Sequence, residues 1–359
     1  LGQKKCILAG ALIMMMGHFC MAFPDLPFFY TALGLLIIGN GLFKPNISTL
    51  VGKLYKDGDG RRDAGFTIFY MGINIGAFFS PLICGTLGEK IGFHWGFVAA
   101  GVGMLISSLI YMWGEKRFCP HIGDSPAETT SQVTLSEYQK PLTTEEKHRT
   151  AVIFILTFFS IFFWMSFEQA GSSFTLFADR STDRFIPFLN WEFPASYFQS
   201  ANPLFIILLA PLLSRLWIDL SQKDKNPSTP VKFAIGLFLA ALGFILMVIA
   251  SSIVDEAGKV SVLWLLSVYF FHTVGELCIS PVGLSVVTKL APVKFASLMV
   301  ATWFLASFFA NLAAGVFAGK YDSLSTQQFF MIPVLITGIA GITALLLAKP
   351  IKRRMHGVE

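Results

Sequence analysis

Charge is scarce in this chain. Only 14% of its 359 residues are Asp, Glu, Lys or Arg, against roughly a quarter in a soluble globular protein. Its five cysteines, Cys6, Cys20, Cys84, Cys119 and Cys278, form no close pair, so neither a disulfide framework nor a metal-binding thiol set is expected. The histidines His18, His94 and His272 are scattered, which suits structural or interfacial roles. A membrane-embedded enzyme would need clustered His and Asp, or a metal constellation, at one membrane face. The sequence offers none, so the chain reads as a non-enzyme without cofactor or metal. A signal peptide and an initiator Met are also missing. The chain opens on Leu1-Gly2-Gln3-Lys4-Lys5 directly before an apolar run, as expected of a fragment that lacks its N-terminal part.

What replaces charge is apolar bulk. Hydrophobic residues make up 54% of the chain, 37 of them Phe, and the mean hydropathy is +0.64. These numbers predict an all-α polytopic membrane protein. Ten runs are long enough to cross about 30 Å of hydrocarbon: 6–23, 28–50, 65–87, 95–114, 150–171, 200–220, 231–253, 261–288, 294–318 and 328–348. Strands of a membrane barrel would be shorter and would alternate, so these are helices. The net charge of +5 is no nucleic-acid footprint, because Lys and Arg fall in the short turns between spans. One set of turns holds Lys4, Lys5, Lys53, Lys56, Arg61, Arg62, Lys116, Arg117, Lys140, Lys147, Arg149, Lys223, Lys225, Lys289, Lys294, Lys349, Lys352, Arg353 and Arg354. The other holds Lys90, Arg180, Arg184, Lys259 and Lys320, mostly beside an acid. The first set marks the cytoplasmic side of the cell (inner) membrane, C-terminus included.

Residues 116–149 are polar, with Pro120, Pro126 and Pro141, and read as a cytoplasmic linker. It separates an N-terminal bundle over 1–115, with four spans, from a C-terminal six-helix bundle over 150–359. Six plus six is the natural division of a transporter built from repeats, and two further N-terminal helices would restore it.

Charges inside the spans carry the functional argument. Lys44, followed by Pro45, lies nine residues before Lys53, about 13 Å inside the edge of its span. Near a bilayer centre a lysine costs about 2.5–3.5 kcal/mol, although its stem can snorkel part of that distance. Glu276 is nearly central in its span, with Ser280 one turn on and Pro281 after it. It is either a structural partner within the bundle or an acid that meets a cation. Glu168 stands in the outer part of its span, either interfacial or an outer gate and proton acceptor. Asn74 lies mid-span with Tyr70 one turn earlier, and Asn202 opens a span beside Pro203. Buried amides need partners, so both either bind neighbouring helices or face a ligand.

Together these residues resemble the proton-dependent oligopeptide transporter family of the major facilitator superfamily. Phe69-Tyr70-Met71-Gly72-Ile73-Asn74-Ile75-Gly76 matches its FYxxINxG signature, and Gly41-Leu42-Phe43-Lys44-Pro45-Asn46 resembles its fourth-helix motif. Phe167-Glu168-Gln169-Ala170-Gly171-Ser172-Ser173, Phe177-Ala178-Asp179-Arg180 and Gln199-Ser200-Ala201-Asn202-Pro203 resemble its seventh-to-eighth-helix region. Gly275-Glu276-Leu277 through Ser280-Pro281-Val282-Gly283 resembles its tenth helix, and Trp303 falls where the eleventh carries a tryptophan. The ten spans then correspond to family helices three to twelve. The family's first-helix acid-acid-arginine motif is absent from this chain.

The resemblance implies a major facilitator fold and a proton-coupled symporter that imports di- and tripeptides by alternating access. In it Lys44 holds the peptide carboxylate, while Glu276 takes the ammonium with Asn74 and Asn202. Tyr70, Ser280 and Trp303 line the substrate site, and Glu168, Lys44 and Glu276 serve proton coupling and gating. Protons are the coupling ion. The partners are small peptides and membrane lipid, without nucleic acid, and the chain is expected to act as a monomer. Electrostatics supports two opposed poles, since a peptide zwitterion leaves water only where each end meets an opposite charge. A symporter of another small anion such as nitrate would use Lys44 without requiring Glu276. A peptide-binding membrane receptor would bind without accumulating.

Overall fold

The computed structural model describes residues 2–55, 61–118, 122 and 141–358. Most of the expected linker, along with Lys56, Pro120, Pro126 and Lys140, lies outside the described residues. The chain divides into two compact units, Leu1–Gln132 and Val133–Glu359.

The first unit holds α1 (Gln3–Cys20), α2 (Leu26–Lys53), α3 (Arg61–Lys90) and α4 (Phe93–Phe118). Helix α1 packs along α2 and α4. The α1–α2 approach is backbone-close: a Cβ on Gly10 would stand 2.7 Å from the Gly39 carbonyl, and one on Gly39 would stand 2.8 Å from that of Gly10. Small residues permit this approach where lipid provides little drive for helix association.

The second unit holds α5 (Thr144–Phe167), α6 (Ser173–Ser181), α7 (Ala201–Gln222), α8 (Thr229–Ala257), α9 (Val262–Leu290), α10 (Ala296–Ala318), α11 (Thr326–Leu346) and the short α12 (Ala348–Arg354). Helix α5 starts on a capping box, in which Thr143 Oγ1 accepts from the Glu146 amide and the Glu146 carboxylate accepts from the Thr143 amide. Between α6 and α7 the chain makes a cap of two-residue strands. In it β1 (Thr182–Asp183) pairs in parallel with β4 (Val260–Ser261), and β2 (Phe185–Ile186) pairs antiparallel with β3 (Trp191–Glu192). Arg184 is buried in this cap and ties it to Asp179 at 2.7 Å, to Glu192 at 3.4 Å and to the Phe193 carbonyl at 2.6 Å. Strands this short carry no periodicity, so no local pattern in residues 172–199 announces them.

Ten helices among the described residues reach 18 residues or more, and nine of the spans are apolar enough to cross a membrane by length and composition. Helix α1 falls short of that mark. Gln3, Lys4 and Lys5 fill its first turn and His18 its last, and Lys4 is buried against Glu115 at 3.8 Å. Outward faces elsewhere are apolar, with Ile37, Ile106, Phe154 and Leu345 all exposed, as suits helices solvated by acyl chains.

Two apolar clusters build the second unit. One gathers Phe159 and Phe163 of α5, Phe233 and Leu237 of α8, Ile279 and Val286 of α9, and Trp303 of α10. The other gathers Phe174 and Phe177 of α6, Phe244 and Met247 of α8, Tyr269 of α9, and Phe329 and Phe330 of α11. Helix α9 feeds both clusters, and its stretch between them, His272 to Glu276, carries polar groups.

Candidate functional site

That stretch is where the sequence-predicted residues converge in the second unit. Asn202, at the start of α7, donates through Nδ2 to Glu276 Oε2 at 2.8 Å and to Thr273 Oγ1 at 3.0 Å. Thr273 in turn donates to the Tyr269 carbonyl one turn back, at 2.7 Å. The Glu276 carboxylate is thus held by a half-buried amide, at the level where α9 passes from one apolar cluster to the other. Pro203 explains the position of Asn202: a proline in the first turn has no amide to leave unsatisfied, so the helix begins beside the acid. Ser280 sits half-buried one turn beyond Glu276 on the same face of α9. His272 is buried, with Nε2 3.3 Å from the Ala240 carbonyl and its ring among Phe167, Phe174 and Phe244. This is the structural role that its isolation in the sequence suggested.

Glu168 opens a 3-10 turn, Glu168–Gly171, directly after α5. Asn311 of α10 donates to its Oε1 at 3.4 Å. Its neighbour Gln169, fully buried, fixes the turn. The Gln169 amide nitrogen donates to the carbonyls of Met165 and Ala314, both at 3.3 Å, and its oxygen accepts from Ser173 at 2.8 Å.

Trp303 departs from its expected place. Its indole is only 6% exposed, faces Phe233 at 6.1 Å between ring centroids, and covers Gly283, where a Cβ would stand 2.2 Å from the ring. It is a core side chain of the first apolar cluster. The glycine four residues after Ile279 makes the room that the tryptophan fills.

In the first unit Lys44 is exposed on α2 beside Pro45, which lies inside the helix. Around it, polar side chains bond back to the helix's own carbonyls: Asn46 to Leu42 at 2.8 Å, Ser48 to Lys44 at 3.0 Å and Thr49 to Pro45 at 2.8 Å. Such back-bonding satisfies carbonyls around a proline in lipid. Asn74 is buried and donates to the Tyr70 carbonyl at 2.9 Å, while the Tyr70 ring is 46% exposed.

The profile of the PTR2 (POT) family matches residues 4–136 and 125–332. The chain belongs to the POT family. Among curated POT-family relatives, the peptide transporter YePEPT of Yersinia enterocolitica is 35% identical, over all of this chain and 82% of the relative. A di-/tripeptide transporter of Lactococcus lactis subsp. cremoris is 33% identical, over all of this chain and 83% of the relative. A crystal structure of a peptide transporter POT in complex with sulfate superposes with a TM-score of 0.89 at 32% identity. That superposition covers 99% of this chain and 82% of the other.

Sequence reasoning missed three residues that contact these side chains. Thr273 and Asn311 are uncharged polar positions among several in their helices, and their distances to Asn202 and Glu168 single them out. Gln169 had a signal, since a glutamine beside an acid at a span's end must find partners once buried.

Proposed function

We propose that this chain is a proton-coupled symporter that imports di- and tripeptides by alternating access. Glu276, held by Asn202 within a span of a POT-family chain, is the observation that carries this reading. The carboxylate takes the peptide ammonium, and Lys44 takes the peptide carboxylate. Asn74 already spends one amide hydrogen on the Tyr70 carbonyl, and its amide oxygen is an acceptor suited to an ammonium. Tyr70 and Ser280 border the substrate, whereas Trp303 supports α9 from behind through Gly283. Glu168 serves proton coupling with Asn311 beside it.

The remaining assignments are also proposals: residues 1–115 and 150–359 as two helical halves, 116–149 as the linker between them, a monomer, a bacterial inner membrane and a cytoplasmic C-terminus. Relatives bearing the name peptide transporter support the substrate class, and the charged residues within spans support a zwitterion. A purely anionic substrate such as nitrate would leave the Asn202–Glu276–Thr273 cluster without a role, and a receptor would not accumulate ligand.

The test is uptake into proteoliposomes carrying the full-length protein, driven by an inward pH gradient. Labelled dipeptide accumulates in the parent, unlabelled dipeptide competes and nitrate does not, and Glu276→Gln reduces accumulation to the protein-free level. Undiminished gradient-driven uptake by that variant overturns the assignment of Glu276, and binding without accumulation by the parent overturns symport.

A further inference from the structure

The second unit carries an open apolar groove of about 640 Å³ on the face shared by α5 and α11. Phe154, Phe158 and Phe162 wall one side, and Ile339, Thr343 and Leu347 the other. Thr343 is the only hydroxyl in the lining, and it is already bonded to the Ile339 carbonyl at 2.8 Å. Phe154 to Phe162 and Ile339 to Leu347 each span about 12 Å of helix, most of the depth of one leaflet of a bilayer about 30 Å thick.

The groove has a charged mouth at one end only. Immediately after Leu347, α12 turns Ala348, Ile351 and Met355 into the core and leaves Lys349, Arg353 and Arg354 exposed. Beside it the first turns of α5 add Lys147 and Arg149. The two basic elements are pinned together, since His148 Nδ1 and His356 Nε2 lie 3.0 Å apart. The rings are within 8° of parallel with centroids 5.3 Å apart. The acids of the same turn are engaged, Glu145 with Arg149 at 2.6 Å and Glu146 with Thr143. The mouth is therefore net positive, and the groove behind it is uncharged.

We propose that this groove binds one anionic glycerophospholipid, with an acyl chain lying between α5 and α11 and the phosphate at Lys349, Arg353 and Arg354. A cluster of basic side chains at the end of an apolar cleft between spans suits a lipid phosphate, and the depth of the groove matches one chain. A zwitterionic lipid offers the same acyl chain with no net charge to hold.

Native mass spectrometry of the full-length protein tests the proposal, with phosphatidylglycerol or phosphatidylcholine added to the detergent. The parent retains one phosphatidylglycerol and releases phosphatidylcholine. Two variants separate the halves of the site: the triple substitution Lys349→Gln, Arg353→Gln, Arg354→Gln removes the mouth, and Ile339→Trp fills the groove from an exposed position. Each lowers phosphatidylglycerol retention at least about tenfold, whereas Lys223→Gln with Lys225→Gln, an exposed basic pair elsewhere, leaves it unchanged. Equal retention of both lipids by the parent means ordinary annular contact and overturns the proposal. So does retention that survives Ile339→Trp, since the lipid would then bind the basic surface alone.

Discussion

A single amide decides how the central acid is held. Asn202 donates to both Glu276 and Thr273, so Asn202→Ala deprives a carboxylate inside the bundle of a charge-assisted hydrogen bond. The expected loss is about 1.5–3 kcal/mol, read as a lower Tm of the detergent-solubilised protein. Thr273→Val, which removes only a neutral partner, costs about 1 kcal/mol; an equal loss in the two variants would mean that the acid draws little from Asn202. By contrast, Asn311→Ala breaks a long contact of 3.4 Å to Glu168 and should leave Tm nearly unchanged while altering uptake. Glu168, Glu276, Asn74 and Asn202 were legible in the sequence because polarity inside an apolar run is conspicuous. Trp303 was not. A large aromatic on a membrane helix looks the same whether it lines a cavity or fills a core, and only Gly283 opposite it tells which.

Helix pairing in the second unit turns on one glycine contact. A Cβ on Gly236 of α8 would meet the Gly275 carbonyl at 2.8 Å and Ile279 at 2.6 Å, and one on Gly275 would meet the Gly236 carbonyl at 2.9 Å. Backbone cannot swing aside as a side chain can, so Gly236→Ala or Gly275→Ala forces α8 and α9 apart, at about 1–3 kcal/mol. Gly275 precedes Glu276, so the same displacement pulls the acid from Asn202, and peptide uptake should fall together with Tm. Gly315→Ala and Gly338→Ala, where nothing lies within 4 Å, are the controls and should keep both. Long helices were readable to within a few residues, as with 231–253 expected against Thr229–Ala257 observed, because apolar length is itself the signal. The cap between α6 and α7 was unreadable. Its strands are held by Arg184 reaching across to Asp179, Glu192 and the Phe193 carbonyl, contacts that no local pattern announces.

At the scale of the whole chain, the proposed orientation rests on where positive charge gathers. On the side assigned as outer, Arg180 is paired with Asp322 at 2.5 Å, Arg184 with Asp179 and Glu192, and Lys259 with Glu192 at 3.9 Å. Positive charge there is scarce and largely matched. On the opposite side, Lys349, Arg353 and Arg354 stand exposed on α12, and Lys223 and Lys225 stand exposed between α7 and α8. Positively charged short loops stay on the cytoplasmic side during insertion, which is why the proposed orientation turns the α7–α8 connection to the cytoplasm and Lys320, after α10, outward. Single cysteines at these exposed positions report the arrangement. A membrane-impermeant maleimide added to intact cells should label Lys320→Cys and spare Lys225→Cys, and in inverted vesicles the pattern should reverse. Labelling of Lys225→Cys from outside intact cells would place the basic face, and with it the mouth of the lipid groove, in the opposite leaflet.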